Sequence, residues 1–360
     1  MNYDEVFSFE NLYKAHIVAR RGKRHKKEVI EFEMNTGSNI AKLYYEHKHR
    51  RYVIGPYHTF YIYEPKKRRV DAISYRDRIV QHCLCDNYLM PLLEKRLVYD
   101  NSATRKNKGT DFARSRLKKF YYDYFVKNKT NIGFVLKCDI HHYFETIDHD
   151  CLINILKKII FDQGILMLCI QIIDSYNSEE GKGLPIGNQT SQAFAILYLD
   201  EVDRLIKEKF KMRYYSRYMD DFIIISKSKN KLKLLLKSIK ELLDKYKLKL
   251  NKKSRIYKLK ESINYLGFNY KLKANGKILM LLNYEKKKRF CKKTIEKIKL
   301  YFAKRKSFES VLGTINSYNS HIKKGTTFRF QIKYYQIIKK YYNARLWKHN
   351  HGDLSTIFMC

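Results

Sequence analysis

The stretch "YYSRYMDDFIIIS" limits most narrowly what this chain can fold into. Tyr214, Tyr215 and Phe222–Ile225 have the aromatic and β-branched character of buried strands. Asp220 and Asp221 stand side by side between them, and a buried carboxylate without a partner is costly. The segment therefore reads as two short strands joined by a tight turn, with the acids at the tip. A second apolar run, "NIGFVLKCDIHHYFETID", also ends in an acid, Asp139. Strand, helix and then hairpin is an order that lets these distant strands pair and puts Asp139 beside Asp220. At ~4 Å and an effective dielectric near 20, each pair of such carboxylates repels by roughly 4 kcal/mol. Divalent cations remove that cost, and magnesium prefers one or two carboxylates together with substrate phosphate oxygens. Two such ions about 4 Å apart activate a hydroxyl and stabilise a leaving pyrophosphate, which is the chemistry of nucleotidyl transfer. Taken singly, Asp220–Asp221 reads equally as an exposed acidic turn, and Asp139 as a strand-end or helix-cap residue.

Charge supplies the partner. Lys and Arg number 74 against 36 Asp and Glu, a net +38 over 360 residues. A chain this basic repels itself unless a polyanion lies against it, and the 14% aromatic content provides rings for stacking. The competing reading is that many of these lysines solvate the surface. Hydrophobic content of 44% excludes disorder as the main state, and four prolines without a Ser/Gly-rich linker favour one multi-lobed molecule. Seven cysteines without a CxxC pair, and no secretory signal, set the expectation of a reducing cytoplasm. Adjacent His141 and His142 would face opposite ways on a strand, which argues against paired metal ligation. Apolar runs such as "GILMLCIQII" are too short to span a membrane, so no membrane partner is expected.

Along the chain, "RYVIGPYHTFYIYEP" reads as a hairpin or paired strands around Gly55–Pro56. "RDRIVQHCLCDNYLMPLLEKRL" has helical spacing that Pro91 should kink or break. "ATRKNKGTDFARSRLKKFYYDYF" begins as a basic loop and continues as a helix, and Asp148 or His149 caps the helix after the first acid-bearing strand. "GLPIGNQTSQAFAILYLD" is a Gly/Pro loop entering a buried helix, and "KNKLKLLLKSIKELLDKY" is an amphipathic basic helix. "LKLNKKSRIY" and "INYLGFNYKLKANGKILM" read as strands, and everything after residue 283 as basic helices.

These segments resemble, in order, the motifs of reverse transcriptases. "YMDD" between an aromatic strand and "FIII" looks like the catalytic hairpin, and "VLKCDIHHYFETIDH" like the first palm motif. "GLPIGNQTSQAFAILYLD" looks like the loop and helix beneath template and incoming nucleotide, with "LKLNKKSRIY" and "INYLGFNY" as the motifs that follow. "EPKKRRVDAISYRDRIVQHCL" and "SATRKNKGTDFA" resemble finger motifs of group II intron-like bacterial enzymes. The resemblance implies an α+β right-hand polymerase with fingers over residues 1–130, a palm (antiparallel sheet backed by helices) over 131–282 and a helical basic thumb over 283–360. It implies Asp139, Asp220 and Asp221 as catalytic metal ligands, with the Ile140 carbonyl, for two Mg2+ ions that Mn2+ can replace. Arg68 and Arg105 match finger cations that grip the triphosphate, and Lys253 matches a basic palm residue able to protonate pyrophosphate. Phe144 takes the place of a ring that would clash with a ribose 2′-hydroxyl, so the implied product is DNA; core packing is its other reading. The implied partners are template RNA, the RNA/DNA hybrid and deoxynucleoside triphosphates.

Within "PIGNQTSQ", Ile186 stands where most reverse transcriptases carry Gln, followed by Gly187 and, at the motif's end, Gln192. That pattern resembles the enzymes of diversity-generating retroelements, in which loose copying opposite adenine feeds sequence diversification. Exchanging an amide for an alkyl group removes a hydrogen-bonding check of about 1 kcal/mol; a neutral packing variant is the other reading. The family admits a small basic accessory protein or an associated non-coding RNA as further partners. The alternatives are an antiphage-defence reverse transcriptase and a non-catalytic, maturase-like RNA-binding protein.

Overall fold

Alternation along the acid-bearing strands decides the architecture around them. Strand β3 (Phe134–Cys138) pairs antiparallel with β5 (Asp221–Ser226), and β5 pairs antiparallel with β4 (Tyr214–Tyr218). The register sets Cys138 and Arg217 opposite Phe222, and Leu136 and Tyr215 opposite Ile224. These six residues share one face, which is buried. Lys137, Tyr218 and Asp221 lie on the other. The sheet order is β4-β5-β3-β6, with β6 spanning Arg255–Lys258.

The structure is a computed structural model describing residues 1–63 and 67–349, without the side chains of 344–349. Glu64, Pro65 and Lys66 of the finger motif, the Trp347 side chain and residues 350–360 of the expected thumb lie outside the described residues. The chain forms two compact units, one of Met1–Leu117 with Phe134–Ile256, the other of Lys118–Gly133 with the chain from Tyr257 on.

The first unit opens with helices α1 (Tyr3–Val6), α2 (Phe9–Ala19), α3 (Lys27–Met34) and α4 (Thr36–Lys48). Strands β1 (His58–Ile62) and β2 (Arg68–Ala72) then form a separate antiparallel ribbon. Its turn falls after Ile62, so the hairpin expected at Gly55–Pro56 is not there. Gly55 N–H instead donates to Asp77 Oδ2 at 3.0 Å and Tyr52 OH to Asp77 Oδ1 at 2.8 Å, pinning that segment to the start of the next helix. Helix α5 (Tyr75–Leu84) continues through a π-turn, Cys85–Leu89, into α6 (Met90–Arg96). The π-turn absorbs the expected break: Met90 N–H reaches back to Cys85 O, and Pro91 falls in the first turn of α6, where its missing N–H does no harm. Helix α7 (Thr110–Asn128) follows the basic loop, and from Lys118 on its residues belong to the second unit.

After β3 come α8 (Tyr143–Thr146), α9 (His149–Lys157), α10 (Gln163–Asp174), α11 (Gln189–Tyr198) and α12 (Asp200–Arg204). Asp148 caps α9, accepting from Cys151 N–H at 3.0 Å. Helix α13 (Lys229–Lys245) lays Leu232, Leu235, Ile239 and Leu243 against β3 and β5, in the same core as Phe194 and Ile196 of α11. The acids thus sit on a sheet whose back is clamped by helices.

In the second unit β7 (Ile263–Tyr265), β8 (Phe268–Leu272) and β9 (Ile278–Leu282) form an antiparallel sheet. Helices α14 (Tyr284–Phe302), α15 (Phe308–Lys323) and α16 (Phe328–His349) bury Phe290, Ile298, Ile315 and Tyr334. Among the described residues no helix is long and apolar enough to cross a membrane, and the cysteines from Cys83 to Cys291 are free thiols.

Candidate active site

The β4–β5 connection has two residues, Met219 and Asp220, between the paired Tyr218 and Asp221. Tight hairpins need positive φ, and Met219 supplies it at 56° without being glycine, a strained choice. Arg217, fully buried, holds the turn. Its Nη1 donates to Met219 O at 3.0 Å and its Nη2 to Ile196 O at 2.9 Å, while Nε and Nη2 grip Asp203 of α12 at 2.7 and 2.5 Å. Tyr215 OH also donates to Asp203. Burial would push the Arg217 guanidinium down, but the facing Asp203 carboxylate keeps it above the ordinary arginine value. Sequence reading passed over this pair. The signal was available: alternation puts Arg217 on the face of Tyr215, and an arginine pointing into a core requires a partner.

Asp139 follows the last residue of β3 and is fixed through its backbone. Its N–H donates to Ser254 Oγ at 3.0 Å, and its carbonyl accepts from Asn251 N–H at 2.7 Å. The same turn carries Lys253, exposed, with its N–H on Asn251 Oδ1. Ile140 is buried and bridges to Leu250. Asp139 and Asp220 meet. Burial first, then the Asp139 charge and its hydrogen bond, raise Asp220 to about 6. Burial pushes Asp221 up to about 7 against the pull of Lys137, whose Nζ lies 3.6 Å from Asp221 Oδ1. That oxygen is enclosed and has no hydrogen-bond donor.

A cavity of about 500 Å³ is lined by Arg69, His141, His142, Glu145, Ile186 and Lys247, among others; His141 stands two residues past Asp139, and none of the three acids is on the wall. His141 and His142 do not sit on a strand. The chain turns straight after Ile140, His142 takes a left-handed φ of 46°, and the two rings contact edge-on at 4.2 Å. His142 Nδ1 lies 2.6 Å from Glu145 Oε2. Phe144 is half-buried and its carbonyl accepts from Leu184 N–H at 2.7 Å, whereas neighbouring Tyr143 is buried with its OH on Ala195 O. Gly187 has φ 109°, closed to most side chains, and its α-carbon faces Val70 of β2. Gln192 accepts from Thr104 Oγ1 at 3.2 Å and lines a different cavity.

The two finger arginines are not brought together. Arg68 is exposed, and strand alternation turns it away from its neighbour Arg69, which lines the cavity and pairs with Asp71 at 3.0 Å. Arg105 is turned inward. It grips Glu94 with Nε and Nη2, the latter at 2.6 Å, and gives Nη1 to the carbonyls of Val98 and Asn101.

Among the described residues no group of three or more His, Cys, Asp or Glu side chains is arranged to hold a metal ion. The donors present are a facing Asp139–Asp220 pair and an enclosed Asp221 oxygen that has no hydrogen-bond donor and only the Lys137 ammonium, at 3.6 Å, against it. That set fits a hard cation held partly by protein and partly by substrate phosphates, not a closed protein cage.

Residues 62–270, which contain every one of these groups except those before β1, match the family described as reverse transcriptase (RNA-dependent DNA polymerase). The chain belongs to the reverse transcriptase family. Over 93 residues it is 28% identical to a COX1/OXI3 intron 2 protein of Saccharomyces cerevisiae, a match spanning 24% of this chain and 11% of that protein. Among solved structures, telomerase from Candida albicans in complex with a TWJ fragment of telomeric RNA aligns with a TM-score of 0.50 and 12% identity, over 85% of this chain and 62% of that one. Apo telomerase from Candida tropicalis, truncated from its C-terminal domain, aligns at 0.49 and 17%, over 63% of this chain and 56% of that one. The fold is α+β, that of right-hand polymerases, as the sequence motifs implied.

Proposed function

We propose that this reverse transcriptase copies RNA into DNA at the Asp139–Asp220 pair. The observation that carries the reading is the convergence of these acids from strands far apart in the chain; a cavity with cations and imidazoles on its wall opens at His141, two residues past Asp139. Asp139 and Asp220, supported by Asp221 and the Ile140 carbonyl, would hold Mg2+. Bound there, the metal supplies charge neutralisation for the attacking oxygen and the departing pyrophosphate. The chain's own residues do the rest. Arg69 and the imidazoles of His141 and His142 would offer donors to a triphosphate, Phe144 would oppose a 2′-hydroxyl, and Lys253 would protonate the leaving group. Residues 1–130, 131–282 and 283–360 act as fingers, palm and thumb, with template RNA, the growing hybrid and deoxynucleoside triphosphates as substrates in a cytoplasmic setting.

The finer reading is error-prone copying of the diversity-generating type. Its support is Ile186 on the cavity wall, where an alkyl group can check shape but not hydrogen bonding. The match to an intron protein favours a second reading, a maturase-like role in binding RNA; a defence role has no observation of its own. Primer extension on RNA with deoxynucleotides and magnesium tests the first claim. Extension lost in Asp220→Asn is expected; no product from the unaltered chain, or product unaffected by that change, would refute it. Sequencing the products tests the second: misincorporation concentrated opposite adenine, and reduced in Ile186→Gln, is expected.

A further inference from the structure

Asp71 is an odd residue to find in the β1–β2 ribbon. Aspartate is depleted in strands, yet this one is 2% exposed on β2, where Arg68 and Arg69 just before it are exposed. A buried carboxylate is tolerable only where donors meet it. Three side chains do so, from three segments. Thr59 of β1, the partner of Asp71 in the register, gives its hydroxyl to Oδ1 at 2.5 Å. Arg69, two residues back on the same face of β2, gives Nε to the same oxygen at 3.0 Å. Tyr176, on the connection after α10, gives its hydroxyl to Oδ2 at 3.0 Å. Tyr57 packs edge-on against the Tyr176 ring, with centroids 5.5 Å apart, and its hydroxyl lies 2.9 Å from Ser175 Oγ.

The Arg69 donors that Asp71 leaves alone carry the argument further. Asp71 takes the Nε edge of the guanidinium, and neither terminal nitrogen has a partner among the described residues. Arg69 and Tyr176 both line the cavity that holds His141 and His142. The two glutamates on that wall are engaged elsewhere, Glu145 with His142 at 2.6 Å and Glu179 with Lys182 at 3.3 Å, and neither pairs with Arg69. A free arginine samples many rotamers, whereas one held at Nε by a fixed carboxylate presents its planar fork ready-made.

We propose that Asp71 is a positioning residue for nucleotide binding: fixed by Thr59 and Tyr176, it holds Arg69 by one edge and leaves both terminal nitrogens for the triphosphate. The inference rests on the reverse transcriptase reading, in which Arg69 meets that triphosphate, and it is tested without turnover. Ordering one rotamer-rich side chain on binding costs a factor of about 2–12 in affinity, and this is the gain that Asp71 supplies. The competing role is a plain brace, tying the ribbon to the connection after α10 with no bearing on Arg69.

The experiment measures affinity of the full chain for a fluorescent deoxynucleoside triphosphate by anisotropy. Mg2+ is present, with an RNA/DNA hybrid whose primer ends in a dideoxynucleotide, so nothing is incorporated. Asp71→Asn keeps the shape, removes the charge and should weaken binding about 3–10-fold. Tyr176→Phe, which removes only the donor to Oδ2, should weaken it by less. Arg69→Ala should itself bind about 10-fold more weakly, and in that background neither change should have a further effect, because no guanidinium remains to be placed. A brace gives a different pattern. Affinity of the folded chain unmoved by Asp71→Asn, or weakened equally with and without Arg69, would overturn the assignment, as would an Arg69→Ala chain that binds as tightly as the unaltered one. Should Asp71→Asn fail to fold by circular dichroism, Tyr176→Phe carries the same comparison. Extension absent from the unaltered chain, with this binding pattern intact, would sink the copying reading and leave the role of Asp71 standing; extension without the pattern would sink the role alone.

Discussion

Arg217→Lys tests whether the reverse transcriptase hairpin is held in its strained form from beneath. The native guanidinium serves four acceptors, Asp203 Oδ1 and Oδ2, Ile196 O and Met219 O, from a fully buried position. A lysine keeps the charge but lacks the planar fork. Met219 O and one Asp203 oxygen are left unmet, at about 1–3 kcal/mol for each buried group. Lysine should therefore destabilise by ~2–6 kcal/mol, and Arg217→Met, which also strands the Asp203 charge, by at least about 3–5 kcal/mol. The double change Asp203→Leu/Arg217→Met should recover most of that stability, since apolar replacements of buried pairs are often near neutral. It cannot recover the hydrogen bond to Met219 O. Asp220 follows Met219 directly, and a misplacement of about 1 Å can cost ~100-fold in rate. Urea unfolding gives the stabilities, and single-nucleotide extension at saturating substrate, below each melting temperature, gives kcat. The expected result is a stable double variant with kcat still reduced by about 10–100-fold. If kcat returned together with stability, or if Arg217→Lys kept kcat within about twofold, the pair would be structural only, and the argument from Met219 would fail.

Two further outcomes follow from the same site. In metal-free buffer Asp220→Asn should stabilise the chain near neutral pH by up to ~3 kcal/mol, because folding raises this carboxyl from 3.8 to about 6. A raised carboxyl contributes stability below pH 3.8 and loses it as pH climbs through about 6, so the variant's advantage should open across that window; urea melts at several pH values showing a flat or reversed difference would contradict it. Phe144→Val should lower discrimination against ribonucleotides by at least ~10-fold in competitive extension while retaining deoxynucleotide use.

What could be read from the sequence was what is decided locally. The β4–β5 hairpin, the acid at the end of β3, the Asp148 cap and the amphipathic α13 follow from alternation, helical spacing and cap chemistry within a few residues. The paired strands of the finger ribbon are legible, but no turn forms at Gly55–Pro56, because Asp77, more than twenty residues downstream, ties Gly55 and Tyr52 in place. The sequence leads one to expect a kink or break at Pro91 because a π-turn that accommodates proline leaves no composition signal. The left-handed turn at His142 is hidden from the sequence because it falls on a histidine and not on a glycine.

The hardest thing to read was which cations are free, since a sequence with 74 of them offers many equivalent candidates. Arg105 stands in a loop dense with basic residues, yet it faces Glu94 and two carbonyls and is 9% exposed. Its donors are already directed at fixed partners, so a triphosphate would have to compete with a bidentate pair. Arg69 keeps one contact, Nε to Asp71, is 55% exposed and lines the cavity that holds His141 and His142. Steady-state extension separates the two. Arg69→Ala should raise KM for the incoming nucleotide by about 10-fold, the worth of one charge-assisted contact, with unfolding unchanged. Arg105→Ala should lower stability by about 1–3 kcal/mol through the carbonyls it abandons, with KM nearly unchanged in the folded fraction. The reverse pattern would mean that Arg105 swings out to meet substrate, and that Glu94 holds it only between turnovers.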